Sequence, residues 1–171
     1  SLEKEYSLRP VKEYPNGLVK GYLPWMPGTV TVIGMNGGKE VCRQVVETPG
    51  IAVRLAFEQE EQEITLPRAD TDREENQPQP YRMLCKVRAL DAEGCPVFRE
   101  SAKVTFVVEG PARLIGVDNG DIKGAEALDG DSIHLYRGRA DAGLLITGCG
   151  RVKLTAYAAG MQPAQCMIAV L

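Results

Sequence analysis

The chain has 171 residues, a formal net charge of −3 and a sequence pI of about 5.3. No basic cluster stands out, so neither a nucleic acid nor an anionic membrane has electrostatic support as a partner. Apolar residues make up 44%, enough to bury a core, yet no apolar run approaches the roughly 18 residues that a membrane-inserted helix needs.

The chain starts at Ser1 without a leader pattern, which says nothing of compartment. Residues 1–10 mix charges with few apolar anchors and read as a loosely held start. Val11–Tyr14 and Leu18–Leu23 are expected to pair as short antiparallel strands about the turn Pro15-Asn16-Gly17. Pro24-Trp25-Met26-Pro27-Gly28 then breaks the chain twice around its one Trp. Thr29–Met35 reads as a strand with Val30 and Val32 on one face. Asn36-Gly37-Gly38-Lys39 is the strongest hairpin turn in the chain, and Val41–Thr48 is the returning strand. An immunoglobulin-like sandwich takes about 100 residues and seven strands. Residues 1–50 offer about four strands, so they read as part of a second β-sandwich or as a small cap.

The pattern restarts at Ile51, where Val53, Leu55 and Phe57 alternate with Arg54, Ala56 and Glu58. Residues 58–63 are nearly all Glu and Gln. After a short apolar step, Ile64–Leu66, the Pro- and charge-rich run Pro67–Pro80 reads as a long exposed loop. Tyr81–Leu90 is a strand with Met83, Cys85, Val87 and Ala89 inward and Arg82, Lys86 and Arg88 outward. Leu84 interrupts the polar face, which is therefore expected to be partly covered. Asp91-Ala92-Glu93-Gly94 is a turn, and Pro96–Phe98 a short edge segment.

The clearest unit is residues 104–121. Val104, Phe106 and Val108 share one face of an extended chain, and Gly110-Pro111 punctuates it. A short run, Arg113–Val117, then ends in the turn Asp118-Asn119-Gly120-Asp121. Beyond a polar, Gly-rich stretch, Ile133–Tyr136, Ala142–Thr147, Val152–Tyr157 and Ala164–Leu171 read as strands, with Arg137-Gly138-Arg139 as a turn. No segment sustains a 3.6-residue period. The fold class is all-β: an immunoglobulin-like β-sandwich over residues 51–171, preceded by part of a second β-sandwich over residues 1–50.

The five cysteines include no CxxC pair and the chain has a single His, which argues against a Cys/His zinc site. Cys85 and Cys166 occupy apolar strand positions, where a thiol serves as a small hydrophobe, and the thiols are expected to be mostly free. Gly116–Gly120 is too short for a dinucleotide fingerprint and lacks the following helix. The residues imply no cofactor.

Three segments together resemble a known family. Trp25-Met26-Pro27-Gly28-Thr29, followed by Gly34, Gly38-Lys39 and Thr48-Pro49-Gly50, is similar to the end of an accessory β-sandwich domain in bacterial glycoside hydrolase family 2 enzymes. Val104-Thr105-Phe106, Glu109-Gly110-Pro111 and Gly116–Asp121 resemble the C-terminal, bacterial Ig-like domain of the β-galactosidase-type members. Tyr136–Ala140, Val152–Ala156 and Ala159-Gly160-Met161 match that domain's last third. The chain departs from the family at residues 58–80, where a short turn is usual.

The resemblance implies a multidomain parent, a retaining glycosidase of β-galactosidase type, whose two catalytic glutamates lie in an upstream TIM barrel. This chain shows no (β/α)8 pattern and is shorter than the roughly 200 residues such a barrel takes. Its role would be that of a non-catalytic accessory region, with the upstream catalytic domain as its partner. Glu58, Glu60, Glu61, Glu63, Glu74 and Glu75 lie in polar sequence that reads as too flexible to hold two carboxyl groups about 5 to 5.5 Å apart across a sugar.

Two other readings stand beside it: a carbohydrate-binding module in its own right, and an invasin-like adhesion or spacer domain. Candidate glycan contacts are Trp25, Tyr136 and Arg137, with His134 and Arg139 beside the last two. A core Trp under a proline-flanked turn is the preferred reading of Trp25, and a solvated loop residue that of His134. Asp118 and Asp121, with Glu126, Asp129 and Asp131, are weak candidates for a Ca²⁺ site. The alternative, that Asp and Asn stabilise turns by bonding nearby backbone, is preferred. An exposed strand edge in residues 1–50 would also allow a dimer.

Overall fold

The computed structural model describes residues 24–66 and 80–171. The chain divides into two compact units, Ser1–Thr48 and Pro49–Leu171. The strands expected at 11–14 and 18–23 and the loop expected over 67–79 lie outside the described residues.

In the first unit β1 (Thr29–Asn36) pairs antiparallel with β2 (Lys39–Glu47). The connection is the expected Gly-Gly turn: Gly37 and Gly38 have φ of 56° and 78°, the backbone that a two-residue hairpin of matching twist requires. The ladder slips once, because Gly34 opposes Cys42 while Met35 opposes Glu40. Val41 is thereby left as the extra residue of a bulge. The base of the hairpin is closed by Thr48, whose N–H reaches the Gly28 carbonyl at 2.9 Å and whose Oγ1 accepts from Gly28 N at 3.2 Å. The register puts Val30, Val32 and Val46 on one face and Ile33 and Val45 on the other, and all five are exposed. Trp25 is 78% exposed, so the expectation of a core Trp is corrected.

Among its described residues the second unit holds nine strands: β3 (Arg54–Phe57), β4 (Glu61–Ile64), β5 (Tyr81–Leu90), β6 (Lys103–Glu109), β7 (Ala112–Asp118), β8 (Ser132–His134), β9 (Arg139–Ile146), β10 (Gly150–Ala158) and β11 (Ala164–Val170). They form a four-stranded sheet, β3-β5-β9-β7, and a five-stranded sheet, β4-β11-β10-β6-β8. Among the described residues there is no helix. The strand order is compatible with an immunoglobulin-like sandwich, in which a four-strand and a three-strand sheet are similarly shared out.

The core follows the period of two read from the sequence. Cys85, Val87 and Ala89 of β5, Val104 and Phe106 of β6, and Ala140, Ala142, Leu144 and Ile146 of β9 are buried. They meet Val152, Leu154 and Ala156 of β10 and Cys166, Ile168 and Val170 of β11 in one cluster. Each large aliphatic chain so buried contributes about 1.5–3 kcal/mol over its exposed state. Cys42, Cys85, Cys149 and Cys166 are free thiols.

Three expectations change. The Glu/Gln-rich stretch is not all flexible: Glu61–Ile64 forms β4, parallel to β11, with Met167 N–H donating to the Glu60 carbonyl at 2.7 Å and Leu171 N–H to that of Ile64 at 2.9 Å. Backbone pairing sets this strand, and Ile64 and the buried Leu66 anchor it against the core. Glu58 is likewise held, in an ion pair with Arg88. Finally, Leu84 is 63% exposed, so the outer face of β5 is not covered there. Its neighbours on that face are Gly143 and Ile115, the latter being the extra residue of a bulge where Leu114 pairs with Leu144 but Gly116 with Gly143.

The Asp91 turn ties the start of this unit to the end of β5. Asp91 is buried, and its Oδ2 accepts from Gly50 N at 2.8 Å. Its Oδ1 accepts from Cys95 N at 2.7 Å and Glu93 N at 3.1 Å.

Candidate functional site

At one end of the sandwich, the turn after β7, the loop leading to β8 and the hairpin between β8 and β9 come together. The turn is a chain of side-chain caps. Asp118 Oδ1 accepts from Gly120 N at 2.8 Å, Asn119 Oδ1 from Asp121 N at 2.9 Å, and Asp121 Oδ1 from Lys123 N at 3.0 Å. Gly120 sits at φ 74°, a backbone open to Gly at no steric cost. The Asn119 amide reaches across to the His134 carbonyl at 2.9 Å and so ties the turn to β8.

His134 in turn is fixed by Glu126. Its Nδ1 lies 2.7 Å from Glu126 Oε1, and its backbone N–H donates to Oε2 at 3.2 Å. The His134 side chain holds the Glu126 carboxyl below the usual range, with the His134 N–H and Lys103 adding to the effect. His134 ends a strand rather than lying in a loop, although its side chain is exposed as expected.

Tyr136 and Arg139 bond each other's backbone in both directions, at 3.0 and 3.3 Å, which makes Arg137-Gly138 a two-residue hairpin turn. Arg137 has φ 53°, the one positive φ at a non-glycine among the described residues. That conformation brings its guanidinium to 5.6 Å from the Tyr136 ring centroid, within cation–π range. Tyr136, Arg137, His134 and the 118–121 turn thus gather at one end of the second unit, whereas Trp25 belongs to the first.

Asp118 and Asp121 spend a carboxylate oxygen each on turn backbone, the structural role preferred for them. Among the described residues no three His, Cys, Asp or Glu side chains are grouped to hold a metal ion.

A charged row on the outer face of the four-stranded sheet escaped sequence reasoning. Lys86 of β5 opposes Asp141 of β9, which opposes Asp118 of β7. Next to it, Arg88 pairs with Glu58 at 2.5 Å. Burial raises the Asp141 carboxyl above its usual range, partly offset by Lys86 and Arg139. Glu58, Lys86, Arg88, Arg139 and Asp141 line a cavity of about 180 Å³, below the roughly 300 Å³ at which ligand pockets begin. The outward cations of β5 were legible, but their acidic partners become neighbours only through the register. Chemically, this end of the sandwich offers hydrogen bonding, a stacked Tyr–Arg pair and neutralised charge.

Fold and site together define an all-β sandwich module. The chain belongs to the family glycoside hydrolase family 2 C-terminal domain 5, whose model matches residues 70–167. Among solved structures it is similar to a glycosyl hydrolase family 2 member from Bacteroides cellulosilyticus, at 22% identity and a TM-score of 0.73, over 89% of this chain and 19% of that one. It is also similar to a beta-glycosidase from Bacteroides vulgatus, at 21% identity and a TM-score of 0.67, over 92% of this chain and 20% of that one. A beta-glucuronidase from glycoside hydrolase family 2 matches at 19% identity and a TM-score of 0.68, over 94% of this chain and 16% of that one. At these identities the likeness is one of fold. The chain spans about a fifth of the length of these proteins. No curated protein matches it.

Proposed function

We propose that the chain is the non-catalytic C-terminal accessory region of a family 2 glycosidase of β-galactosidase type, where it supports stability, domain arrangement or access to glycan. The family match over residues 70–167 carries this reading. The short span of the chain against its structural neighbours supports a longer parent, with room for an upstream catalytic barrel as partner. The exposed apolar faces of the β1–β2 hairpin support residues 1–50 being part of a second sandwich whose other strands the parent supplies. Residues 51–171 are then the C-terminal Ig-like domain.

The test is an assay of the parent and of this chain alone with p-nitrophenyl β-galactoside and β-glucuronide. The parent is expected to cleave the galactoside and the isolated chain to cleave neither. Turnover by the isolated chain overturns the non-catalytic role, and a parent that cleaves only the glucuronide replaces the sugar. Inactivity of the parent on any glycoside overturns the whole reading.

The exposure of Trp25 and the Arg137–Tyr136 stack favour a second reading, a glycan-binding role. It predicts saturable quenching of Trp25 fluorescence by galactosides or plant polysaccharides, and an affinity by calorimetry that falls at least tenfold in Trp25→Ala or Tyr136→Ala. No saturable signal by fluorescence or calorimetry across the panel sinks it.

A further inference from the structure

Cys85 and Cys166 enter the same core from opposite sheets, Cys85 from β5 and Cys166 from β11, and both are buried. Each thiol lies close enough to the other to shift its ionisation. Gln62 of β4 completes the group, its Nε2 donating to Cys166 Sγ at 3.6 Å. Antibody domains carry their inter-sheet disulfide between the strands equivalent to β5 and β10. Here β10 presents Leu154 beside Cys166, and the second sulfur stands one strand further over.

We propose that Cys85 and Cys166 form an inter-sheet disulfide when the protein meets a small-molecule disulfide, making this pair a redox-modification site in the core. Access is built in. A cavity of about 180 Å³, lined among others by Phe57, Gln62 and Leu84, opens beside Cys85. Gln62, which lines that cavity and bonds Cys166, belongs to an edge strand of four residues. Loosening of so short an edge uncovers the sulfur behind it.

The chemistry divides between the two thiols. The neighbouring Cys85 thiol, and then the Gln62 amide, draw the Cys166 thiol down against its burial. The contact with Cys166 and burial push the Cys85 thiol up. Cys166, as thiolate, attacks the oxidant RS–SR, forms a mixed disulfide and expels one thiolate. Cys85 then attacks the Cys166 sulfur, loses its proton and displaces the second. Two protein thiols and one RS–SR give one protein disulfide and two RSH, so two electrons pass to the oxidant.

The experiment treats the 171-residue chain with oxidised glutathione, blocks remaining thiols after unfolding, and maps cross-linked peptides by mass spectrometry. The expected product joins the peptides of Cys85 and Cys166. The bond closes a loop of about 80 residues, so Tm rises by roughly 10 °C and falls back with dithiothreitol. Cys85→Ala and Cys166→Ala are expected to abolish the rise. Should either variant fail to fold, the map on the unaltered chain decides alone. Both cysteines recovered as free thiols, either recovered only as a glutathione adduct, or a cross-link through Cys42, Cys95 or Cys149 instead overturns the proposal. A Cys85–Cys166 bond that leaves Tm unmoved overturns the locking of the two sheets.

Discussion

Gly110→Ala is expected to destabilise the second unit by roughly 3–5 kcal/mol. Gly110 has φ 98°, and a Cβ there would overlap the Arg151 carbonyl oxygen and stand 3.1 Å from Val152 Cα. Both are backbone of β10, a central strand of its sheet, so no side chain can swing aside. The control is Gly160→Ala. Gly160 has φ 77° but open space where its Cβ would go, so only conformational strain is added, about 1–2 kcal/mol. Urea unfolding of both variants separates the terms. An equal loss at the two positions would show that φ alone, and not the approach to β10, sets the cost.

Asp91→Ala is expected to lower Tm by roughly 5–10 °C, because three backbone donors lose their acceptor at once. The residue spans an unusual distance in sequence, holding Gly50 N as well as the N–H groups of its own turn. The Gly50 N–H does most to hold its carboxyl below the usual range, against a burial cost, and Cys95, Glu93 and Gly94 add to it. A carboxyl depressed on folding contributes stability that is present above its unfolded value of about 4. That contribution is lost as pH falls below this value towards the folded one. Asp91→Asn keeps an oxygen acceptor but cannot titrate. It should melt between the other two at neutral pH and lose Tm less steeply than the parent below pH of about 4. An acid limb as steep in Asp91→Asn as in the unaltered chain would remove Asp91 from the account.

What was legible in the sequence was whatever depends on local period and turn chemistry. Val104, Phe106 and Val108, or Val152, Leu154 and Ala156, show their inward face because alternation alone decides it. Asn36–Lys39 shows its turn because few other residues take two consecutive positive φ values. Elements set by distant backbone were not legible. Glu61–Ile64 has the composition of a loop, and only the ladder of β11 makes it a strand. The exposure of Leu84, 63%, breaks with the cover that its apolar character in β5 suggested. The candidate site divides in the same way. Arg137-Gly138 and Asp118–Asp121 announced themselves as turns. The bonds that join them, Asn119 to His134 and His134 to Glu126, link residues 15 and 8 positions apart, with no periodic signal to betray them.

The pairing of β4 with β11 constrains the order in which the protein can be made. β4 is the second strand of its unit in the chain and β11 the last, and they lie side by side. The ribosome delivers β4 more than a hundred residues before its partner. Until then its donors and acceptors can be satisfied only by water or by a chaperone. The sandwich therefore closes as a late event of vectorial synthesis, and a stall or frameshift that removes β11 leaves β10 as a bare edge and the core without Ala164, Cys166, Ile168 and Val170. Such truncated products are natural substrates for proteolytic quality control.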